Sequence, residues 1–335
     1  MNRVTIRDVA ERAGVSTSTV SRTLHNSPRI SAETKQRVLD AVREMNYQTH
    51  LHSRNDAVRA IGLVLPGGPD DLFANAFFPR VLRGVSSYAQ ARGYLSLYAF
   101  SHDEEEKLGY LRQFLHSASV HGCILLAVHQ RDRCIDFLVH EELPFAVVGR
   151  PETPGQLLWV DNDNFHAMYE VVNRLVEQGA RRIAFIGGPP EMNVTRDRLE
   201  GYRMALANRG LDLLPELVGF AREFSEGAGR RSMLGMLAHV QPDAFVATDD
   251  VLGLGAMRAL ADRGLHGVPG VGFNNTPEAA RCVPPLSSVD IRPEELGRSA
   301  ARLLIDRIER GDVAENHVIV PTSFVERRAD ERVSV

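Results

Sequence analysis

From Ala60 onward the chain repeats one pattern, a short and nearly all-apolar run that stops at glycine or a polar residue, followed by a helical stretch. "AIGLVLP" precedes "FPRVLRGVSSYAQARG", "YLSLYAF" precedes "DEEEKLGYLRQFLHSA", "GCILLAV" precedes "DRCIDFLVHEE", and "PFAVVGR" closes the series. A strand covered on both faces has no solvent side on which to alternate, so it reads as a continuous apolar run. Strands separated by helices run parallel, because each helix carries the chain back across a face of the sheet. A second series opens with "LLWVDND" before a helix near 165–178. It continues with "RRIAFIGG" before 198–209, "LVGFARE" before 225–239 and "AFVATDD" before 252–263. "GVGFNNT" and "LSSVDI" follow, then a helix near 293–310 and the run "HVIVPTSFVERR". The pattern predicts two doubly wound α/β units in tandem.

In such sheets a ligand lies beyond the carboxyl ends of the strands, and two units facing each other enclose a cleft suited to a small molecule. The residues at those ends therefore matter most: Arg150, Asp161, Asp163, Asp249, Asp250, Asn274 and Asn275.

The opening stretch, "TIRDVAERAGVSTSTVSRTL", is different in style. Two short helical patterns meet at a glycine, as a helix-turn-helix requires: a small residue where the helices cross, a turn residue tolerant of positive φ, and an apolar residue facing back. Ala10, Gly14 and Val20 supply these. Ile6, Val9 and Ala13 form the inner face of the first helix, and Val15, Val20 and Leu24 that of the second. Ser16 can cap the second helix, and Ser31 begins a third whose buried stripe is expected at Val38, Leu39, Val42 and Met45. Thr17, Ser18, Ser21 and Arg22 are left on the outward face, where hydroxyls and a forked guanidinium suit phosphates and base edges. Charge agrees with this assignment: residues 1–60 hold ten Lys/Arg and six Asp/Glu, a local charge of +4 in a chain of net −4, so the rest carries −8. A basic end on an acidic body is what contact with a polyanion favours.

The three cysteines follow no metal or redox spacing, and Cys123 lies in an apolar run as a buried thiol would. With no secretory pattern at the start and no apolar run near the ~20 residues of a membrane span, the expectation is a cytoplasmic protein without membrane contact. No motif for a cofactor or metal is present. A P-loop and G-x-S-x-G are absent, and "GLGAMR" lacks the third glycine of a dinucleotide fingerprint, so Gly253 and Gly255 read as close-packing glycines within a helix. An enzyme and a transporter's solute-binding protein are the rival readings. The first lacks a catalytic motif, and the second does not account for a DNA reader at the N-terminus.

The segment "TIRDVAERAGVSTSTVSRTLHNSPRISAETKQRVLDAVREMNY" closely resembles the headpiece of lactose-repressor (LacI) family regulators, and the resemblance continues through "DRLEGYRMAL", "ATDDVLGLGAMRAL", "PPLSSVDI" and "VPTSFVERR". "FFPRVLRGVSSYA", "VDNDN", "ATDD" and "FNNT" are most similar to the branch that represses maltose and maltodextrin operons. The resemblance implies a headpiece over 1–46, a hinge over 47–60, and an effector-binding and dimerisation core over 61–335. Within the core it implies an N-subdomain of about 61–160 plus 291–320 and a C-subdomain of about 161–290 plus 321–335. It implies a homodimer gripping near-palindromic double-stranded operator DNA and released by a small sugar. Family contacts to DNA fall on Thr5, Ser16, Thr17, Ser18, Ser21, Arg22, Arg29, Ser31 and Thr34, with Tyr47 and Arg54 in the hinge. The chain ends without a heptad tail, which favours a dimer over a tetramer.

The hinge departs from the family form Tyr-x-Pro-Asn-x-x-Ala-Arg-x-Leu. In "YQTHLHSRND", Thr49, His50 and Ser53 replace Pro, Asn and Ala, and Asp56 stands where the minor-groove wedge should be. A carboxylate cannot offset the cost of unstacking as an apolar wedge does. Either this hinge bends DNA less, or Leu51 serves in a shifted register, or binding rests on the headpiece alone.

By the same resemblance, effector positions fall on Phe77, Phe78, Arg150, Asp161, Arg198, Phe224, Thr248, Asp249 and Asn274. Aromatic faces against sugar C–H surfaces, with carboxylates, amides and guanidinium groups as hydroxyl partners, make a sugar site. Several alternatives remain open at this level. Arg198 is either the anchor that clasps two ligand oxygens or a structural partner of Asp161. Phe77 and Phe78 either face ligand or fill the core, and Trp159 either stacks on the sugar or packs. Of Asp249 and Asp250, one is expected to cap the following helix and the other to accept from ligand, against the reading of the two as a glycosidase acid/base pair. Thr248 stands where many family members carry Asn.

Overall fold

The computed structural model describes residues 6–24, 30–45, 58–68, 72, 75–126, 129, 132–155, 157–311 and 315–327, in two compact units that divide after Val58. In the first unit, helices α1 (Ile6–Ala13), α2 (Thr17–Leu24) and α3 (Ala32–Glu44) close on Val9, Ala10, Ala13, Val20, Val38 and Ala41. Gly14 takes φ +63° between α1 and α2, and the Val15 N–H reaches back to the Ala10 carbonyl at 3.0 Å, the left-handed stop that glycine permits after a helix. Ser16 Oγ accepts from the Thr19 N–H at 3.2 Å and Ser31 Oγ from the Thr34 N–H at 3.3 Å, so both serines cap the helices they precede. The expected stripe of α3 needs one correction. Leu39 is 37% exposed and Ala41 takes the inward place, because the helical period from Val38 returns to the same face at 41, 42 and 45.

The second unit holds two six-stranded sheets. The first series runs β1 (Arg59–Pro66), α4 (Phe77–Ala91), β2 (Tyr94–Ser101), α5 (Glu104–His116), β3 (Val120–Leu126), α6 (Arg133–His140), β4 (Phe145–Val148) and β5 (Leu158–Asp161). There follow α7 (Asn164–Glu177), β6 (Ile183–Gly187), α8 (Asn193–Asn208), β7 (Val218–Phe220), α9 (Glu226–Leu237), β8 (Ala244–Ala247) and α10 (Asp250–Asp262). The series ends with β9 (Gly270–Phe273), α11 (Pro277–Arg281), β10 (Ser287–Asp290), α12 (Pro293–Arg310), β11 (His317–Ile319) and β12 (Ser323–Val325). The sheet orders are β11-β5-β4-β3-β1-β2 and β12-β10-β9-β8-β6-β7, parallel except for the antiparallel pair β10–β12.

Three details go beyond the tandem order of the runs. The strand of "LLWVDND" belongs to the first sheet, between β4 and β11, and only the helix after it joins the second lobe. The run "HVIVPTSFVERR" divides, with β11 in the first sheet and β12 in the second. Helix α8 starts at Asn193, five residues before the expected 198, because Thr195, Arg198, Leu199 and Tyr202 are buried at helical spacing beneath a polar-looking start. The chain therefore crosses between lobes three times, after β5, after β10 and after β11. Asn162 ties the three crossings together, its amide donating to the Ile291 carbonyl at 3.1 Å and the Val320 carbonyl at 2.8 Å.

Candidate functional site

The carboxyl ends of both sheets face one cleft. Its walls are Asn75, Phe77 and Phe78 at the start of α4; Val148, Gly149, Asp161 and Asn162 after β4 and β5; Met192, Asn193, Val194 and Arg198 at the start of α8; and Phe224, Thr248, Asp249, Asn274 and Ile291. Eight of the nine expected effector positions meet there. Arg150 is the exception: its guanidinium stands 5.9 Å over the Trp159 ring in a neighbouring depression, and it serves the cleft wall through its backbone, the N–H donating to Asp161 at 2.7 Å. Trp159 is buried, stacked on His317 at 4.7 Å, and lies outside the cleft wall, which favours its packing role. Phe77 and Phe78 meet edge to face at 5.3 Å, line the cleft and pack on the core. Phe224 lies against Gly188, where an added Cβ would come within 2.4 Å of the ring.

Arg198 is buried and organises the floor. Its Nε and one Nη donate to Asn164 Oδ1 at 3.0 and 2.7 Å, its other Nη donates to the Thr248 carbonyl at 2.5 Å, and its guanidinium carbon lies 3.9 Å over the Phe273 ring. Asn164 in turn donates to Asp161 at 2.9 Å, so the guanidinium and the carboxylate communicate through an amide. Thr248 contributes its carbonyl to Arg198, while its hydroxyl accepts from the Gly188 N–H at 2.8 Å. Burial lowers the Arg198 pKa to about 10 despite Asp161 and Asp249 nearby. Burial likewise pushes Asp161 up to about 6, against the pull of the Asn162 and Arg150 N–H groups and of Arg198. A charged group taken out of water favours its neutral form unless partners compensate.

The paired carboxylates divide their work differently from the expectation. Asp249 caps and also reaches the cleft: Oδ1 caps α10 by accepting from the Val251 N–H at 2.7 Å, and Oδ2 accepts from Asn75 at 2.9 Å and Asn274 at 2.7 Å in the cleft wall. Asp250 turns into the second lobe, accepting from the Thr276 N–H and the Ser288 hydroxyl at 2.7 Å each, and burial raises its pKa to about 7. Asp163 caps α7 through the His166 N–H at 2.9 Å.

Sequence reasoning missed Asn75, Asn164, Asn193 and Met192. Asn75 stands two residues before α4 and accepts from the Phe77 N–H at 2.9 Å, the local side-chain-to-backbone bond that asparagine favours before a helix. Asn193 is buried, donates to the Arg150 carbonyl at 3.0 Å, and leaves its Oδ1 without a protein partner in the cleft wall. A buried acceptor in that state calls for a donor. Among the described residues no group of His, Cys, Asp or Glu is arranged to hold a metal, and no helix is long and apolar enough to cross a membrane.

In the headpiece, Thr17 and the capping Ser16 and Ser31 are exposed and Thr34 is half-buried. The backbone of α2 carries Ser18, Ser21 and Arg22, whose side chains lie outside the described residues. Thr5, Arg29, Tyr47 and Arg54, with the hinge residues Thr49, His50, Leu51, Ser53 and Asp56, also lie outside them.

Residues 5–50 match the model of bacterial regulatory proteins of the lacI family, and residues 172–329 match a periplasmic binding protein-like domain. The HTH-type transcriptional regulator MalR of Streptococcus pneumoniae is 37% identical over 309 residues, 91% of this chain and 93% of that protein. The chain belongs to the LacI family. This LacI-family regulator is also 32% identical to the HTH-type transcriptional regulator CelR of Thermobifida fusca, over 98% of each chain. The solved structure of a transcriptional regulator CelR–cellobiose complex superposes with a TM-score of 0.75 at 31% identity, covering 98% of this chain and all of that one. The lac repressor dimer bound to operator shares the fold, with a TM-score of 0.70 at 23% identity, over 98% of this chain and 99% of that one. The protein is thus a DNA-binding transcriptional regulator with a helix-turn-helix headpiece and a two-lobed α/β core.

Proposed function

We propose that the protein is a homodimeric repressor of a sugar-utilisation operon, and that a small maltose-like α-glucoside bound between the lobes releases it from a near-palindromic operator. The observation that carries this reading is the cleft itself. Phe77, Phe78 and Phe224 offer apolar faces, while Arg198, Asp161, Asp249, Asn274 and the free Asn193 Oδ1 offer donors and acceptors for hydroxyl groups. The resemblance of "FFPRVLRGVSSYA", "VDNDN", "ATDD" and "FNNT" to repressors of maltose operons supports an effector of the maltose class. The cellobiose named for the CelR complex favours a second reading, a β-linked glucose disaccharide. In either case the effector acts only through its different affinities for the operator-bound and released states.

Thermal unfolding of the full chain against maltose, maltotriose, other α-glucosides and cellobiose separates these. A sugar at a hundred times its Kd adds about 2.7 kcal/mol, and with roughly 2.1 cal/mol/K of unfolding entropy per residue a shift of about 4–5 °C is expected for a core of this size. A shift with maltose or maltotriose alone supports the first reading and a shift with cellobiose alone the second. A flat panel sinks both. Turnover of a sugar, or a chain without affinity for DNA, would return the enzyme or solute-binding reading.

For the headpiece, the positions proposed to meet DNA are Thr5, Ser16, Thr17, Ser18, Ser21, Arg22, Arg29, Ser31 and Thr34, with Tyr47 and Arg54 beside them. Arg22→Ala is expected to cost about 1–3 kcal/mol of discrimination on an operator selected from random DNA. Equal weakening on every sequence would reduce Arg22 to a phosphate contact.

A further inference from the structure

The rim of the cleft nearest α4 is bridged twice. Asn75 donates across it to Asp249, and Arg80, on the same helix, donates through one Nη to the Asn274 carbonyl at 2.7 Å. Its other Nη stands 3.9 Å from Asp290 Oδ1. The same Nη that meets Asn274 lies 3.5 Å from the Asn275 carbonyl. These carbonyls and the Asp290 carboxylate all belong to the carboxyl edge of the second sheet, so the side chain joins one lobe to the other.

The loop that receives Arg80 has an uncommon shape. Asn274 and Asn275 take φ values of 99° and 50°, two successive residues in the left-handed region, which non-glycine residues enter only at a cost. Backbone donors hold them there: the Asn274 N–H bonds the Val289 carbonyl at 2.9 Å and the Asn275 N–H bonds Ser288 Oγ at 3.0 Å. With its donors turned into the second lobe, the loop presents the Asn274 carbonyl to the first. The Asn274 amide meanwhile donates to Asp249 at 2.7 Å, in the cleft wall. One residue therefore touches Arg80 through its main chain and the cleft through its side chain.

We propose that Arg80 is a positioning residue that clasps the two lobes across this rim, setting their closure and presenting the Asn274 amide at the height where an effector meets it. A guanidinium fits the task because its planar fork serves a carbonyl and a carboxylate together, and about two-thirds of it is withdrawn from solvent, where a charged hydrogen bond is less screened. The clasp is independent of which effector binds; its influence on affinity rests on the reading of the cleft proposed above.

Two variants of the full chain test it. Arg80→Met keeps the apolar stem and removes the donors, and Arg80→Lys returns a cation that reaches one acceptor. Amide hydrogen exchange in Arg80→Met is expected to quicken about tenfold, the equivalent of about 1.4 kcal/mol, both at the start of α4 and at residues 274–276. Arg80→Lys should recover most of the difference. Unchanged exchange, or a change confined to 274–276, overturns the clasp. Titration with maltose and cellobiose then reads the second half, and the sugar that binds should lose about tenfold in affinity in Arg80→Met. Equal affinities with altered exchange would leave the clasp and overturn its control of the effector. If neither sugar binds the unsubstituted protein, the proposed effector class falls, and the exchange comparison still decides the clasp.

Discussion

Arg198→Met should destabilise the core by about 3–5 kcal/mol at neutral pH, the cost of breaking a buried charge network by removing one partner. Arg198 supplies all the charged donors to Asn164 Oδ1 and the Thr248 carbonyl, and its positive charge lies among Asp161, Asp249, Asp197 and Asp250. Methionine fills much of the volume and offers nothing to those acceptors. The pH dependence distinguishes lost electrostatics from lost packing. Asp161 has a folded-state pKa of about 6, raised by burial above its ordinary value of 3.8. A carboxyl raised in this way binds protons more readily when folded than when unfolded. Its favourable contribution is full below the unfolded value and is lost as pH rises through the folded one. Without the Arg198 charge the folded value climbs further, so the loss extends to higher pH. Denaturant unfolding should therefore show a large deficit for Arg198→Met at pH 7.5 and a smaller one at pH 5. A deficit that is the same at both would assign the cost to packing alone. Effector binding should be lost in this variant at either pH.

Gly84→Ala is expected to cost about 3 kcal/mol, the upper part of the usual range for inserting a methyl group into a packed interior. Helices α4 and α12 cross backbone to backbone: a Cβ on Gly84 would stand 1.9 Å from the Glu294 carbonyl oxygen, and one on Gly297 would stand 2.1 Å from that of Val81. Main chain cannot rotate aside as a side chain can, so the helices must separate, and α12 also underlies β3, β4 and β5. Gly109 is the control. It too lies within a helix, but nothing stands within 4 Å of its added Cβ. There alanine should stabilise by about 0.5–1 kcal/mol through helix propensity alone. Urea midpoints that move in opposite directions would establish the contact. A neutral Gly84→Ala would mean that the crossing relaxes more freely than its backbone contacts imply.

Much of this architecture was legible along the chain, for a local reason. Whether a run is continuously apolar, or a glycine sits between two helical patterns, depends on residues a few places apart. The strands from β1 to β10 thus lay close to their expected runs, Gly14 took its positive φ, and Gly253 and Gly255 proved to sit inside α10, Gly255 against the backbone of α9. Strand ends likewise mark one cleft along the chain, since parallel strands put all their carboxyl ends on one side.

The directions of the polar side chains at that cleft came from elsewhere. Arg150 stands at a strand end as Asp161 does, yet it turns outward over Trp159, because the adjacent strands β5 and β11 place an aromatic face there. Asp249 and Asp250 are neighbours of one type, and their opposite roles follow from α10 beginning between them, which turns one toward Asn75 of the other lobe and one toward Thr276 and Ser288 of its own. The orientation of the Asn193 amide, which leaves its Oδ1 open, and the grip of Arg80 on Asn274 likewise rest on partners 43 and 194 residues away. Periodicity reports which face of an element is dry. It holds no information about which donor from a distant strand or the opposite lobe meets a buried acceptor, and that meeting, made only when the two sheets close on each other, turns a row of strand ends into a lined cleft.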